Sequence, residues 1–301
     1  MGGMGNQMYA YALGKALSLK KQQALLIDKS WMNELGKERG LNLFTLDNFE
    51  IPIDEWKFSS LPIIKWFFYR KADRFFSFLS KFGKNSRKKV LCEKTCCFDD
   101  WILQIKSKSI YIRGGTWQSF KYFAEYENEI KQAFEFKPNV YVENKAWADI
   151  INGDNKSVSV HIRRGDYVNN PDCGYTQNIC TRAYYDIAMN LCKEKLGNPQ
   201  FYFFSDDIEF VKQEFGNAEN YTFVERPAST KQETGFRDDG YKDMFLMTLC
   251  QHNIIANSTF SWWAAFLNKN PNKLVIAPNR WYNGIIDDSF IVRPEWIRVG
   301  V

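Results

Sequence analysis

The second half of the chain alternates short apolar runs with longer stretches of helical period. "SVSVHI" (157–162) puts Val158, Val160 and Ile162 on one parity and Ser157, Ser159 and His161 on the other, the two-residue period of a strand. "TRAYYDIAMNLCKEKLG" (181–197) predicts a helix closed by Gly197, "QFYFF" (200–204) a strand, and "DDIEFVKQEFG" a short helix ending at Gly216. "YKDMFLMTLCQ" predicts a helix, "NIIA" (253–256) a strand, "STFSWWAAFLN" a helix and "KLVIAP" (273–278) a strand stopped by proline. Strand and helix in alternation mean a parallel sheet covered by helices. Its four apolar strands read as buried on both faces.

The first half carries the same pattern less regularly. "NQMYAYALGKALSLK" predicts a helix, "ALLID" (24–28) and "SIYIRGG" (109–115) strands, and "EYENEIKQAFEF" (125–136) a helix. "KPNV" and "NGDNK" interrupt the alternation, so a boundary is expected near 137–156, giving domains of about 1–150 and 151–301. Residues 57–89 stand apart, with many cations, one acid (Asp73) and clustered aromatics. They suit a helical insertion packed on the first domain, or a basic amphipathic helix on an anionic membrane.

Composition narrows the class. At 301 residues there is room for two domains. A net charge of +5 is a mild bias towards phosphates, nucleotides or anionic membranes, and too weak to argue for nucleic acid. Seven cysteines, scattered, with only two histidines in the chain, point to reduced thiols in a cytosolic protein rather than a disulfide framework or zinc site. No run of about 18 apolar residues appears, so a soluble or peripheral protein is expected.

Four stretches carry candidate chemistry. "HIRRGDYV" (161–168) ends a strand with two cations. Parity sends His161 and Arg163 to one face and Arg164 to the other. The cations serve either an ion pair with Asp166 or an anion, most naturally phosphate, at the carboxyl end of the strand. "GGMGNQ" (2–7) puts glycines before a helix start, where free N–H groups attract anions. "FFSDDIEF" (203–210) offers Asp206 as a helix cap with Glu209 three residues on, or Asp206 or Asp207 as acceptors for a nucleotide. "NIIANSTFSWW" (253–263) leads a buried strand into Asn257, Ser258 and Thr259 at a helix start. That segment suits a phosphate cradle or plain capping, with Trp262 and Trp263 as core.

In this order and company the pieces resemble the bacterial α-1,2-fucosyltransferases of glycosyltransferase family eleven. They are "GGMGNQMYAYALGKAL", "GGTWQSFKYF" (114–123), "VSVHIRRGDYV", "FFSDD", "DMFLMTLCQHNIIANSTFSWWAAFLN" and "VIAPNRWY" (275–282). The resemblance implies a GT-B-like α/β fold, two Rossmann-like domains with parallel sheets facing a cleft, GDP-fucose held mainly by the second. It implies Arg163 on the donor diphosphate, His161 near the guanine nucleotide, Ser258 and Thr259 at the phosphate-binding helix start, and Asp206 as a nucleotide contact. It places Asn6 at the reaction centre from the first domain, and leaves Asp166 as the carboxylate to test first as general base. Trp117 and Gln118 are expected on the acceptor side, with Trp117 either a sugar platform or core. Only Met1 precedes the glycine loop where the family has a strand, which departs from its pattern.

The implied reaction is metal-independent, inverting transfer of L-fucose to a terminal galactose in a cell-surface glycan such as a lipopolysaccharide, O-antigen or capsule precursor. GDP-fucose acts as co-substrate and no cofactor takes part. The setting is the cytoplasm, with peripheral contact to the inner membrane face. Two rivals remain: another nucleotide-sugar enzyme on a Rossmann-like scaffold, and a non-catalytic carbohydrate-binding protein. A full GxGxxG after a strand would favour a dinucleotide, and "GGMGNQ" lacks it.

Overall fold

The computed structural model describes residues 3–27, 46–51, 54–55, 88–93, 97–113, 115–165, 167, 174–225, 239–284 and 287–300. The basic aromatic stretch expected as an insertion therefore lies, up to residue 87, outside the described residues, as does Asp166. The chain divides into two units, Met1–Leu46 with Ile51–Ala133, and Asp47–Glu50 with Phe134–Val301. The division falls ahead of the expected 137–156 stretch, because aromatic packing binds the intervening residues to the second unit. Phe49 stacks on Phe134 and Phe136 at 5.2 and 4.7 Å, and Phe136 meets Phe245 at 5.3 Å.

In the first unit, helix α1 (Met4–Lys21) starts at Gly3 and buries Met8, Tyr9, Ala12, Leu13 and Ala16, the spacing of one helical face. It stops at Gln22, whose left-handed backbone (φ 52°) turns the chain, and Lys20 and Lys21 sit where the helix dipole favours cations. Gly14 is the close-approach point: a Cβ there would lie 2.9 Å from Leu25 and 3.7 Å from Ile112. Two parallel pairs are described, β1 (Leu26–Ile27) with β2 (Asp54–Glu55), and β3 (Lys88–Cys92) with β4 (Ser109–Arg113). Helix α2 (Glu127–Ala133) closes the unit and buries Ile130.

The second unit opens with α3 (Pro138–Glu143) and α4 (Lys145–Asn152). Its sheet has six strands: β5 (Ser157–Ile162), β6 (Gln200–Ser205), β7 (Tyr221–Phe223), β8 (His252–Ile254), β9 (Val275–Pro278) and β10 (Ile297–Val299). All pairings are parallel, in the order β10-β9-β8-β5-β6-β7. The connecting helices are α5 (Arg182–Leu196), α6 (Ile208–Phe215), α7 (Gly240–Leu249) and α8 (Thr259–Leu267). This is the doubly wound order of a Rossmann sheet. From β5 the chain builds outward through β6 and β7, then returns to the other side of β5 for β8, β9 and β10.

Every residue of β5 is buried. Val158, Val160 and Ile162 pack with Tyr184, Tyr185 and Met189 of α5 and with Phe201 and Phe203 of β6. The polar parity is equally covered, and Ser159 is satisfied there: its hydroxyl accepts from Asn253 Nδ2 at 2.7 Å, and Asn253 Oδ1 accepts from Asn268 at 2.8 Å. The Trp262–Trp263 pair is core as expected; Trp262 donates to the Ile291 carbonyl at 2.8 Å. The edge strands β7 and β10 went unread because each is three residues long and half-buried.

Candidate active site

In an open parallel sheet, ligands bind outside the carboxyl ends of the strands where the strand order reverses. Here that point lies between β5 and β8, and it is where the expected donor residues converge. His161 stacks on Phe260 of α8 at 5.2 Å. The Arg163 guanidinium lies 5.8 Å from the Tyr167 ring centre, and the Tyr167 hydroxyl donates to the Asn257 carbonyl at 3.0 Å. His161 and Arg163 on the β5 side thus meet Phe260 and the Asn257 carbonyl that flank Ser258 and Thr259, although positions 161 and 259 lie 98 residues apart in sequence.

Asn257 holds the cluster's floor. Its side-chain amide donates to the Thr176 and Trp281 carbonyls at 3.0 and 3.1 Å, and its Oδ1 accepts from the Cys180 thiol at 3.4 Å. This ties two loops to the start of α8. Ser258 stands at the N-cap position with extended backbone, yet its hydroxyl makes no capping bond. The plain-capping reading of Ser258 therefore does not hold.

His161 is 5% exposed, and its Nδ1 has no hydrogen-bond partner. Burial, with the Arg163 cation beside it, pushes its pKa down to about 3, so the ring is neutral at any ordinary pH.

The two aspartates of "SDD" divide the work differently from either reading of the sequence. Asp207, not Asp206, caps α6, accepting from the Phe210 N–H at 3.3 Å. Asp206 instead faces the loop after β5. Its Oδ2 lies 2.7 Å from Arg163 Nη1, and its Oδ1 accepts from the Arg164 N–H at 2.9 Å. Arg164 lies over the Phe210 ring at 3.4 Å with Nε 3.7 Å from Asp207. Both arginines thus meet carboxylates of the β6–α6 turn, Arg163 through Asp206 and Arg164 through Asp207.

A second cluster lies within the first unit. Asn6 Oδ1 accepts from Gln118 Nε2 at 3.0 Å, joining two residues expected near the reaction centre. Trp117 is 2% exposed and packs edge-on against Tyr122 at 6.3 Å, so of its two readings the core one applies. Gly115 (φ 83°) and Trp117 (φ 52°) are both left-handed, an uncommon state for a tryptophan. Glu93 holds the turn. Its carboxylate accepts from the Thr116 and Trp117 N–H groups at 2.6 and 2.9 Å and from the Thr116 hydroxyl at 3.3 Å. Burial raises its pKa, against the pull of those bonds. Gly115 must be glycine on two counts, since a Cβ would also sit 2.6 Å from Glu93 Cβ. Sequence reasoning missed Glu93; the only available signal was the Gly114–Gly115 pair, which announces a special backbone without naming its partner.

Among the described residues no helix is long and apolar enough to cross a membrane, and no group of three or more metal-ligating side chains occurs.

With this geometry, the comparisons with known proteins place the chain. Residues 100–300 match the model of glycosyl transferase family 11, and the chain belongs to that family. It is a glycosyltransferase with a GT-B-like α/β fold. It is 32% identical to an α-1,2-colitosyltransferase of Escherichia coli over 99% of this chain and 96% of the relative. It is 24% identical to galactoside 2-α-L-fucosyltransferase Sec1 of Mus musculus, over 60% of this chain and 49% of the relative. Among solved structures, a mutant of Arabidopsis thaliana FUT1 in complex with GDP superposes with a TM-score of 0.56, at 14% identity, over 93% of this chain and 69% of that one.

Proposed function

We propose that this chain transfers L-fucose from GDP-β-L-fucose to the 2-hydroxyl of a terminal galactose, with inversion and without a metal. The acceptor would be a precursor of a cell-surface glycan such as lipopolysaccharide, O-antigen or capsule. The carrying observation is the link of Arg163, through the Tyr167 ring, to the Asn257 carbonyl just ahead of α8 at the sheet's switch point, which puts a guanidinium beside a helix start where a diphosphate could bind.

In this reading the acceptor oxygen attacks the fucose anomeric carbon from the face opposite GDP. The bond from that carbon to the diphosphate oxygen breaks, and the ring passes through an oxocarbenium-like state. Negative charge grows on the departing diphosphate. Arg163 and the α8 N–H groups stabilise it, Ser258 and Thr259 donate hydroxyls, and neutral His161 lies on the nucleotide side. The proton leaves the acceptor oxygen for a base, and Asp166 is the first to test. Asn6, whose Oδ1 accepts from Gln118, is assigned to the chemistry on the family resemblance. A cytosolic setting agrees with free thiols at Cys180, Cys192 and Cys250; peripheral contact with the inner membrane face belongs to the same reading.

The E. coli relative, an α-1,2-colitosyltransferase, supports a second transferred sugar, colitose, which would be carried on GDP if the same donor site serves it. One experiment decides: incubate the protein with GDP-fucose or GDP-colitose and a panel of β-galactosides and 2-deoxygalactosides, then assign the product linkage by NMR. An α-1,2-fucosyl product from galactosides alone supports the reading. Preference for GDP-colitose moves the donor, and fucose on O3, O4 or a glucosamine removes the acceptor assignment.

A further inference from the structure

We infer that Asp206 is a positioning residue for Arg163, rather than a nucleotide contact, and that Gly165 is glycine so that Asp206 can reach it. The inference rests on reading Arg163 as the diphosphate-binding cation.

Both oxygens of Asp206 are spent on the loop after β5. Oδ2 takes Arg163 Nη1 at 2.7 Å and Oδ1 takes the Arg164 N–H at 2.9 Å. A carboxylate bonded at both oxygens to a guanidinium and to the next residue's backbone fixes where that guanidinium starts and how it leaves the chain. Arginine carries five N–H donors in a planar fork, so one can rest on Asp206 while others address a phosphate. The next turn leaves no slack: a Cβ on Gly165 would lie 2.5 Å from Asp206 Oδ2 and 3.5 Å from its Cγ. The glycine is therefore required by the carboxylate's approach. Asp207 does the remaining structural work, capping α6 and lying under Arg164, which frees Asp206 from a helix-start role.

Arg163 and Asp206 come from two βα turns and lie 43 positions apart, yet they form one device. The β6 turn supplies the anion that aims the β5 turn's cation. An Asn at 206 would keep an acceptor for the Arg164 N–H but present N–H to N–H, or lose charge, towards Arg163. Its effect should be felt by a diphosphate only through Arg163.

Titration calorimetry with GDP on the full chain tests this, using Asp206→Asn, Arg163→Gln and the double variant, with thermal unfolding of each. Asp206→Asn should weaken GDP about tenfold, the scale of one charge-assisted hydrogen bond, and raise the donor KM while the acceptor KM holds. The double variant should bind GDP no more weakly than Arg163→Gln alone. Gly165→Ala is the second arm, which leaves Asp206 in place chemically: it should weaken GDP in the parent and not in the Arg163→Gln background. Losses that add in both cycles, or unchanged GDP affinity in Asp206→Asn, would overturn the inference. A parent that binds no GDP would instead remove the functional reading itself.

Discussion

Each unit carries one carboxylate that organises a candidate site, and the two do opposite jobs. In the second unit Asp206 faces side-chain cations, is partly open to water, and balances charge. In the first, Glu93 faces backbone N–H groups, is desolvated, and bends the chain through two left-handed residues. The difference follows from what surrounds them. A regular parallel sheet delivers side chains to its strand ends without help, so the carboxylate there needs only to aim one. An irregular loop has no such frame, so its carboxylate must make the backbone conformation itself.

The largest expected effect lies on the sheet side. Arg163→Ala should lower transfer about 10²–10³-fold, the usual loss of one preorganised donor at a developing anion. Arg163→Lys should restore only part, since a point charge replaces a fork. GDP titration and steady-state rates on both variants check this, and an unchanged GDP affinity in Arg163→Ala would break the sheet half of the comparison.

On the loop side Glu93→Gln should cost stability, on the order of 1–3 kcal/mol, because one N–H then faces the new amide instead of an acceptor. Glu93→Ala should cost more, and in both the Gln118–Asn6 contact should be lost with a fall in transfer and little change in GDP binding. Calorimetric unfolding beside GDP titration separates the two. A loss of GDP affinity equal to the loss of activity would show that the loop does not act on its own side of the chemistry.

These two regions were not equally legible in the sequence. Strand period and the order of βα units exposed the second sheet, its buried strands and the donor residues at their ends, because parallel sheets buried on both faces write long apolar runs. What stayed hidden was pairing between turns. Nothing in "SDD" says which aspartate caps and which reaches 43 residues back to Arg163, since that depends on how two turns distant in sequence meet. In the first unit the signals were weaker still. Trp117 looked like a platform or like core because aromatic side chains serve both. Glu93 was silent because a half-buried carboxylate bonded to backbone leaves no pattern around itself.

A smaller effect comes from pH, and it should have opposite signs in the two units. The folded pKa of His161 is pushed down to about 3, below the usual value near 6.5. Below 6.5 the unfolded chain binds a proton that the native ring refuses, so stability falls, by up to about 1.4 kcal/mol per pH unit, as pH drops from 6.5 towards 3. The folded pKa of Glu93 is raised. There the native state takes the proton first, so its contribution grows as pH falls through the raised value and is lost as pH rises. Thermal unfolding of the parent, His161→Gln and Glu93→Gln across acid to neutral pH checks both. His161→Gln should be less sensitive to acid than the parent, and Glu93→Gln more. Parallel curves for all three would mean that neither group titrates as its surroundings require.

The smallest expected effect is that of chelation. A metal in this chemistry would neutralise charge growing on the diphosphate. The sequence has no Asp-x-Asp pair to hold one there, and the switch point already supplies a guanidinium and a helix start for that task. Both oxygens of Asp206 are engaged by the β5 turn, so that carboxylate is not offered to a cation bound on the diphosphate. Transfer in EDTA should therefore match transfer in buffer with Mg²⁺ or Mn²⁺. The comparison also predicts where a requirement would surface if one exists. If Arg163→Ala, but not the parent, regains rate on adding Mg²⁺, the ion is standing in for the guanidinium, and the sheet-side reading is sharpened. If the parent itself loses activity in EDTA and regains it on adding the ion back, Arg163 is not sufficient for the leaving group, and a metal must share the work.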